Sequence, residues 1–326
     1  TLPLLMKMVD ERKLNIDNTL GMHLELDTSN KTGLVIRDIL AHQSRLKSWI
    51  PFYKSTLDDD TIKGIKVLRD TLYSSTESPI YPYKVADNIY LHFSYPDSIL
   101  KTIKYSELRE NEGYKYSDLG YYLFKEIIER NYNKQLNKLT SDYFYDKLGM
   151  ENLGYLPLDR IEKDRIIPTE QDYLYRSQLI KGYVHDQGAA MLGGIGGHAG
   201  VFSNANDLAK IMQMYLNYGK YGGERYISEE TVKEFTKCQF CKNDNRRGSG
   251  FDKPAIDKGG PTCDCVSHTS FGHTGFTGTI AWADPETEII YIFLSNRVHP
   301  DSNNMKLLKM DVRTNIMQEI FNHFGN

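Results

Sequence analysis

No hydrophobic run in the sequence approaches the ~18 apolar residues of a membrane-spanning helix, which excludes a helical membrane span. There is no excess of basic residues. Lys and Arg number 40 against 43 Asp and Glu, a formal net charge of −3, which is not the basic balance of a nucleic-acid-binding chain. Internal repeats and low-complexity tracts are absent. Tryptophan is scarce, with 2 residues against 23 tyrosines. Abundant tyrosine fits semi-buried packing with a polar tip in water. No leader peptide and no initiator Met stand at the front. The chain opens directly on an amphipathic stretch, TLPLLMKMVDERKLNIDNTL, with Leu2, Leu5, Met6 and Val9 on one face, so further residues are expected upstream. What remains, 40% hydrophobic and 25% charged over 326 residues, is an ordinary globular composition, enough for one large domain or two smaller ones.

Periodicity and cap residues predict helices from the N-terminus to about Lys13, over Gly33–His42, Asp58–Tyr73, Tyr95–Tyr105 and Asp118–Tyr132, and again over Leu139–Leu148. Three more follow: Ala205–Asn217, capped by Ser203 or Asn204; a helix opened by Ser228 and running to Thr236; and Met305–His323. Ser75–Asp87 reads as a turn-rich loop and 155–187 as irregular. Six glycines crowd the thirteen residues from Gly188 to Gly200. The segment lacks the Gly-Lys-Ser/Thr ending of a phosphate loop and reads as a backbone-lined cleft wall. Two late strands are expected, Phe271–Trp282 and Glu288–Leu294, joined by a turn at Asp284-Pro285. Two strands do not make an independent sheet, so the first strands are expected to precede Thr1. The organisation is one domain over 1–326, with a helix-rich lobe over about 20–200 and an α/β lobe from 1–19 and 201–326.

Chemistry concentrates at two places. Gly272, Gly275 and Gly278 surround His273 and Thr274, and glycine in a strand suits close approach of a ligand to the backbone. Far upstream, Tyr116-Ser117-Asp118 stands at the mouth of a predicted helix. Taken together, Tyr-x-Asp and His-Thr-Gly resemble two of the three signatures of the β-lactamase/penicillin-binding-protein superfamily of serine hydrolases. The similarity is closest to the class C β-lactamase-like, esterase and DD-peptidase branch. ILAHQSRL (39–46) resembles that branch's helix ending in His-x-Ser-Gly-Leu. GGHAGVFSNANDLAKIM (196–212) resembles its Gly-rich segment and the helix after it, and SNRVHP (295–300) the end of its last strand.

The resemblance implies an α+β fold of β-lactamase/transpeptidase type, with an antiparallel sheet flanked by helices beside a helix-rich lobe. It also implies acyl transfer through a serine, with no metal or cofactor. Tyr116 would exchange protons with the serine or leaving group. A free tyrosine has a pKa near ~10, so this needs a neighbouring positive charge, supplied by the lysine of a Ser-x-x-Lys motif. His273 stands where many relatives have lysine, and its charge can change within the physiological range. The Phe276 N–H would complete the oxyanion hole. Asp118, Thr274 and Gly275 would contact substrate, Asp118 in place of the usual asparagine. A carboxylate cannot donate as an amide does, which favours an esterase or peptidase over a β-lactamase.

The third signature is displaced. A Ser-x-x-Lys, Ser44–Lys47, follows a helix end instead of opening a helix, and the nucleophile is expected upstream of Thr1. Cys238, Cys241, Cys263 and Cys265 suit one or two disulfides in an exported, periplasmic or cell-surface protein, with a zinc site as the alternative. His185-Asp186 and Glu170/Asp172 read as solvated loop residues or caps, not metal ligands. The expected partner is a small ester or cell-wall peptide substrate, and relatives also occur joined to a glycoside hydrolase domain. A binding module of the same fold, without a nucleophile, is the competing reading.

Overall fold

The computed structural model describes residues 1–60, 65–257 and 259–325. Helix α1 (Leu2–Asp10) admits Pro3 in its first turn, where no N–H is needed. Leu4, Leu5, Met6 and Met8 are fully buried, so α1 is a central helix and not a surface one. After α2 (Ile36–Leu40) come β1 (Leu57–Asp60) and β2 (Ile65–Leu68), then a three-stranded sheet of β3 (Tyr73–Ser74), β4 (Tyr83–Ala86) and β5 (Ile89–Leu91), in the order β3-β5-β4.

The helix expected over 58–73 is thus replaced by an antiparallel pair. Lys66 lies opposite Asp59 and the two form an ion pair of 2.6 Å. Arg69 reaches Asp58 at 3.0 Å. Cross-strand charge pairing of this kind, with a β-branched Val67, favours strands over helical spacing. Ile62, part of that helical pattern, lies outside the described residues. The loop expected over 75–87 likewise holds β4.

Helix α3 (Tyr95–Tyr105) coincides with expectation, and α4 (Leu119–Tyr132) starts one residue later than expected. Then follow α5 (Leu136–Thr140), which continues as a wide turn over 141–145, the hairpin β6 (Glu170–Asp172) and β7 (Gln178–Ile180), and α6 (Gln187–Met191). Helix α7 (Ala205–Leu216) is capped by Asn204, whose side chain accepts from the Asp207 N–H. A two-residue pair, β8 (Lys220–Tyr221) and β9 (Glu224–Arg225), leads to α8 (Glu229–Thr236), capped by Ser228.

The late sheet is a three-stranded antiparallel meander, β10 (Phe271–Thr274), β11 (Ile280–Asp284) and β12 (Ile289–Phe293). The single strand expected over 271–282 is therefore two. Between them the Gly275 N–H donates to the Thr279 carbonyl at 2.8 Å, and Gly278 takes φ +97°, a left-handed conformation that suits glycine. Alternation then decides the sheet's two faces. Ala281 and Ala283 join the main core with α7, while Ile280, Trp282 and Tyr291 form a second cluster with Met317 and Phe321. The last helix is broken at Asp311 (φ 50°) into α9 (Lys306–Lys309) and α10 (Val312–Phe324). None of the helices is long and apolar enough to cross a membrane, among the described residues.

Two glycines of the 188–200 segment allow close packing on α4. A Cβ on Gly197 would lie 2.0 Å from the Tyr121 carbonyl oxygen, and one on Gly188 1.9 Å from the Tyr122 hydroxyl. The cysteines pair locally, Cys238 with Cys241 and Cys263 with Cys265. Each bridge closes a short turn, and neither joins the two cysteine pairs to each other.

Candidate active site

Three backbone segments meet at the start of α4. The residues after α2 form a bed for 115–118. The Lys115 N–H donates to the His42 carbonyl at 2.9 Å and the Asp118 N–H to that of Ser48 at 3.1 Å. The Ser117 hydroxyl donates to the Lys47 carbonyl at 2.6 Å, and the Ser117 N–H to His42 Nδ1 at 3.3 Å. The N-cap position of α4 is Asp118, and the Ser117 Oγ just before it accepts from the Leu119 N–H at 3.2 Å. Asp118 makes no such bond with its side chain, which leaves its carboxyl to the site.

The second segment is 245–250. Asn245 is buried and donates to the Ala41 carbonyl and to Gln43 Oε1, at 3.0 and 2.8 Å. Its own Oδ1 accepts from the Arg247 N–H at 3.1 Å, and the Gly250 N–H donates to the Leu40 carbonyl at 3.0 Å. The third segment is β10, whose outer edge is paired at Gly272 with Asp252.

These segments bring Tyr116 and His273 together, with ring centroids 6.0 Å apart. His42 packs on Tyr116 as well, with ring centroids 4.4 Å apart. Arg247 lies between them, its guanidinium carbon 5.5 Å from the Tyr116 ring and 5.6 Å from that of Tyr114. Arg247 Nη1 meets His273 Nε2 at 2.8 Å and Nη2 donates to the Tyr114 hydroxyl at 3.0 Å. Its nearest carboxylate oxygen, on Asp252, is 3.3 Å away and is also held by Arg246 at 3.0 Å.

Burial, reinforced by the negative charge of Asp118, raises the Tyr116 phenol well above its ordinary value, and Arg247 opposes this only in part. Tyr116 is therefore a protonated phenol here, with Asp118 as its hydrogen-bond partner. Burial also raises the Asp118 carboxyl, helped by Asp186 and opposed by His198. Burial and then the Arg247 charge lower the His273 pKa from its ordinary value, which favours the neutral ring.

Thr274 and Gly275 are half-buried beside His273, and the Thr274 carbonyl is bonded to His273 Nδ1 at 2.7 Å. Phe276 is 64% exposed on the turn after β10. Its ring lies between His185, stacked at 4.9 Å, and the Arg297 guanidinium at 4.8 Å. Among the described residues no acceptor takes the Phe276 N–H. Ser44 is buried in a bend beyond α2, not at a helix start.

Glu170 and Asp172 are not solvated, as their sequence setting had suggested. Both are buried around Arg176, at 2.7 and 2.8 Å, and Glu170 lies 2.8 Å from His185. Asp186 does cap α6 and is bonded to His198 at 2.7 Å. No group of three or more His, Cys, Asp or Glu among the described residues is arranged to hold a metal ion.

Sequence reasoning missed Arg247 and His42. For Arg247 the only signal was a pair of arginines in a Gly/Ser-rich loop; for His42 it was the motif-like setting of ILAHQSRL.

The fold and the paired Tyr-x-Asp and His-Thr-Gly segments define a protein of the penicillin-recognising structural class. The chain belongs to the beta-lactamase family, whose model matches residues 2–312. An Escherichia coli K12 protein provisionally named D-alanyl-D-alanine carboxypeptidase is 33% identical, over 78% of this chain and 62% of its own length. A Salmonella enteritidis protein of the same provisional name is 31% identical, over 80% and 64%. The chain thus spans somewhat over three fifths of these relatives. In fold it is similar to a penicillin-binding protein homologue from Caulobacter crescentus (TM-score 0.59, 18% identity, 90% of this chain and 74% of that one). It is also similar to a penicillin-binding protein from Bacillus halodurans (TM-score 0.59, 14% identity, 95% and 80%).

Proposed function

We propose that the chain supplies most of the active site of a serine acyl-transfer enzyme that hydrolyses peptidoglycan-derived peptides ending in D-alanine. The observation that carries this reading is the meeting of Tyr116 and His273-Thr274-Gly275, from opposite ends of the chain, around one buried cation. The names of the sequence relatives support the substrate class.

In this reading the nucleophile belongs to a Ser-x-x-Lys helix start upstream of Thr1: Ser44 lies in a buried bend, and Ser98 of Ser98–Lys101 is exposed on α3 with its hydroxyl on the Ser94 carbonyl. The serine hydroxyl gives its proton to the neutral lysine beside it as its oxygen attacks the peptide carbonyl. Tyr116 gives its phenolic proton to the departing amine and takes one back from that lysine. The Phe276 N–H, which has no acceptor of its own, receives the developing oxyanion together with the serine's N–H. Asp118, Thr274 and Gly275 contact the substrate, and water then releases the acyl group. Two local disulfides support an exported setting.

The competing reading is a binding module. It is favoured by the settings of the two Ser-x-x-Lys runs within these residues: Ser44 lies in a buried bend, and Ser98, in the first turn of α3, is exposed and donates to the Ser94 carbonyl. The test is made on the parent protein, extended upstream of Thr1. It is expected to release free D-alanine from an acyl-D-alanyl-D-alanine peptide. Turnover of a nitrophenyl ester alone would make it an esterase, and peptide binding without turnover of either would make it a binding module.

A further inference from the structure

We propose that Arg247 is the positioning residue of this site: it locks His273 as the neutral Nδ1–H imidazole and is itself the fixed cation beside Tyr116. The histidine of His-Thr-Gly therefore does not take the place of a lysine; an arginine from another loop does. The catalytic part of this inference rests on the proposed acyl-transfer function, whereas the tautomer does not.

The assignment follows from what each partner can do. A carbonyl oxygen only accepts, so His273 Nδ1, 2.7 Å from the Thr274 carbonyl, must carry a hydrogen. A guanidinium only donates and stays charged, so His273 Nε2, 2.8 Å from Arg247 Nη1, must present its lone pair. A second ring proton would set N–H against N–H beside a full positive charge.

The other groups around the ring do not reverse this. His42 and Arg246 bring no negative charge, and Tyr116 faces it as a protonated phenol. Asp252 is the one nearby carboxylate, and it is held by both nitrogens of Arg246, at 2.8 and 3.0 Å, as well as by Arg247. Arg247 cannot swing away freely. It is buried, its backbone N–H is anchored on Asn245, and its other terminal nitrogen is tied to the Tyr114 hydroxyl. A lysine at position 273 would place a second cation against Arg247, so the neutral residue and the arginine are complementary.

The test is long-range 1H–15N spectroscopy of the histidine-labelled 326-residue chain, with His273 assigned from the His273→Asn variant. In the wild type His273 is expected as the Nδ1–H tautomer, titrating below the ordinary ~6.5 of histidine. In Arg247→Gln its midpoint is expected to rise, staying below that of a free histidine because burial remains, while Arg247→Lys, which keeps a charged donor, restores the low value. In the parent enzyme, the acid limb of the pH–rate profile is expected to move to higher pH in Arg247→Gln than in the wild type.

An Nε2–H tautomer in the wild type, or the same midpoint in wild type and Arg247→Gln, overturns the proposal. The wild-type tautomer decides the matter even if the variant fails to fold. Absence of any hydrolysis would count against the acyl-transfer reading and leave the spectroscopic result standing.

Discussion

Tyr116→Phe is expected to lower kcat/KM of the parent enzyme by about 10²–10⁴-fold, the usual contribution of a positioned proton donor. The substitution removes one oxygen and keeps the ring that packs on His42 at 4.4 Å and faces His273 at 6.0 Å. The loss should therefore fall on the chemical step, with thermal stability near that of the wild type. Tyr114→Phe is the matched control. It removes the hydroxyl that accepts from Arg247 but not the proposed proton donor, so a much smaller loss is expected. Steady-state kinetics on an acyl-D-alanyl-D-alanine peptide measure both. A loss below tenfold in Tyr116→Phe would remove Tyr116 from the proton path.

The largest effect on stability is expected from Arg176→Met. Arg176 is buried and bonded to Glu170, Asp172 and the carbonyls of Val184 and His185. Removing it strands two buried carboxylates, a change that costs about 3–5 kcal/mol. The sign of the pH dependence follows from Asp172. Burial pushes its carboxyl up, but the charge and hydrogen bond of Arg176, with the N–H groups of Tyr175 and Leu174, hold it below the ordinary value. A depressed carboxyl contributes stability above its unfolded pKa, near ~3.9, and loses it as the pH falls through the folded value.

The gap between wild type and Arg176→Met should accordingly be widest near neutrality and narrow in acid below the unfolded carboxyl value of ~3.9. Urea denaturation at pH 7 and at about pH 3, below that value, measures it. The further substitutions Glu170→Gln and Asp172→Asn in the Arg176→Met background should recover part of the loss at pH 7. An equal gap at both pH values would mean that lost packing, not charge, sets the cost.

The parts of the site carried by short contiguous patterns were legible in the sequence. Tyr116 and Asp118 stand two residues apart at a helix start, and His273, Thr274 and Gly275 are consecutive on one strand, so a local reading finds them. Arg247 was not legible. Its function depends on Tyr114, Asp252 and His273, which come together only when the loop anchored by Asn245 docks on the end of α2. Without it, His273 reads as an ordinary titrating imidazole; with it, burial and the Arg247 charge both lower its pKa.

In the fold, helices α3, α4, α7 and α8 were legible from spacing and caps, because burial on one face and Asn204 or Ser228 at the start point the same way. The region of 57–68 was misread because helical spacing of apolar residues does not reveal which charges will face one another across strands. The Gly275–Thr279 reversal was hidden inside an alternating pattern that continues unbroken on both sides of it.

The central claim, that these residues frame a serine acyl-transfer site, is tested most directly by intact-protein mass spectrometry after exposure to a fluorophosphonate probe. The 326-residue chain is compared with one extended upstream by about 60 residues, an allowance for two strands and a nucleophile turn. The account predicts a single adduct on the extended protein alone, at the serine of a Ser-x-x-Lys before Thr1. An adduct on Ser44 of the shorter chain would contradict the placement of the nucleophile, and no adduct on either folded protein would contradict the enzyme.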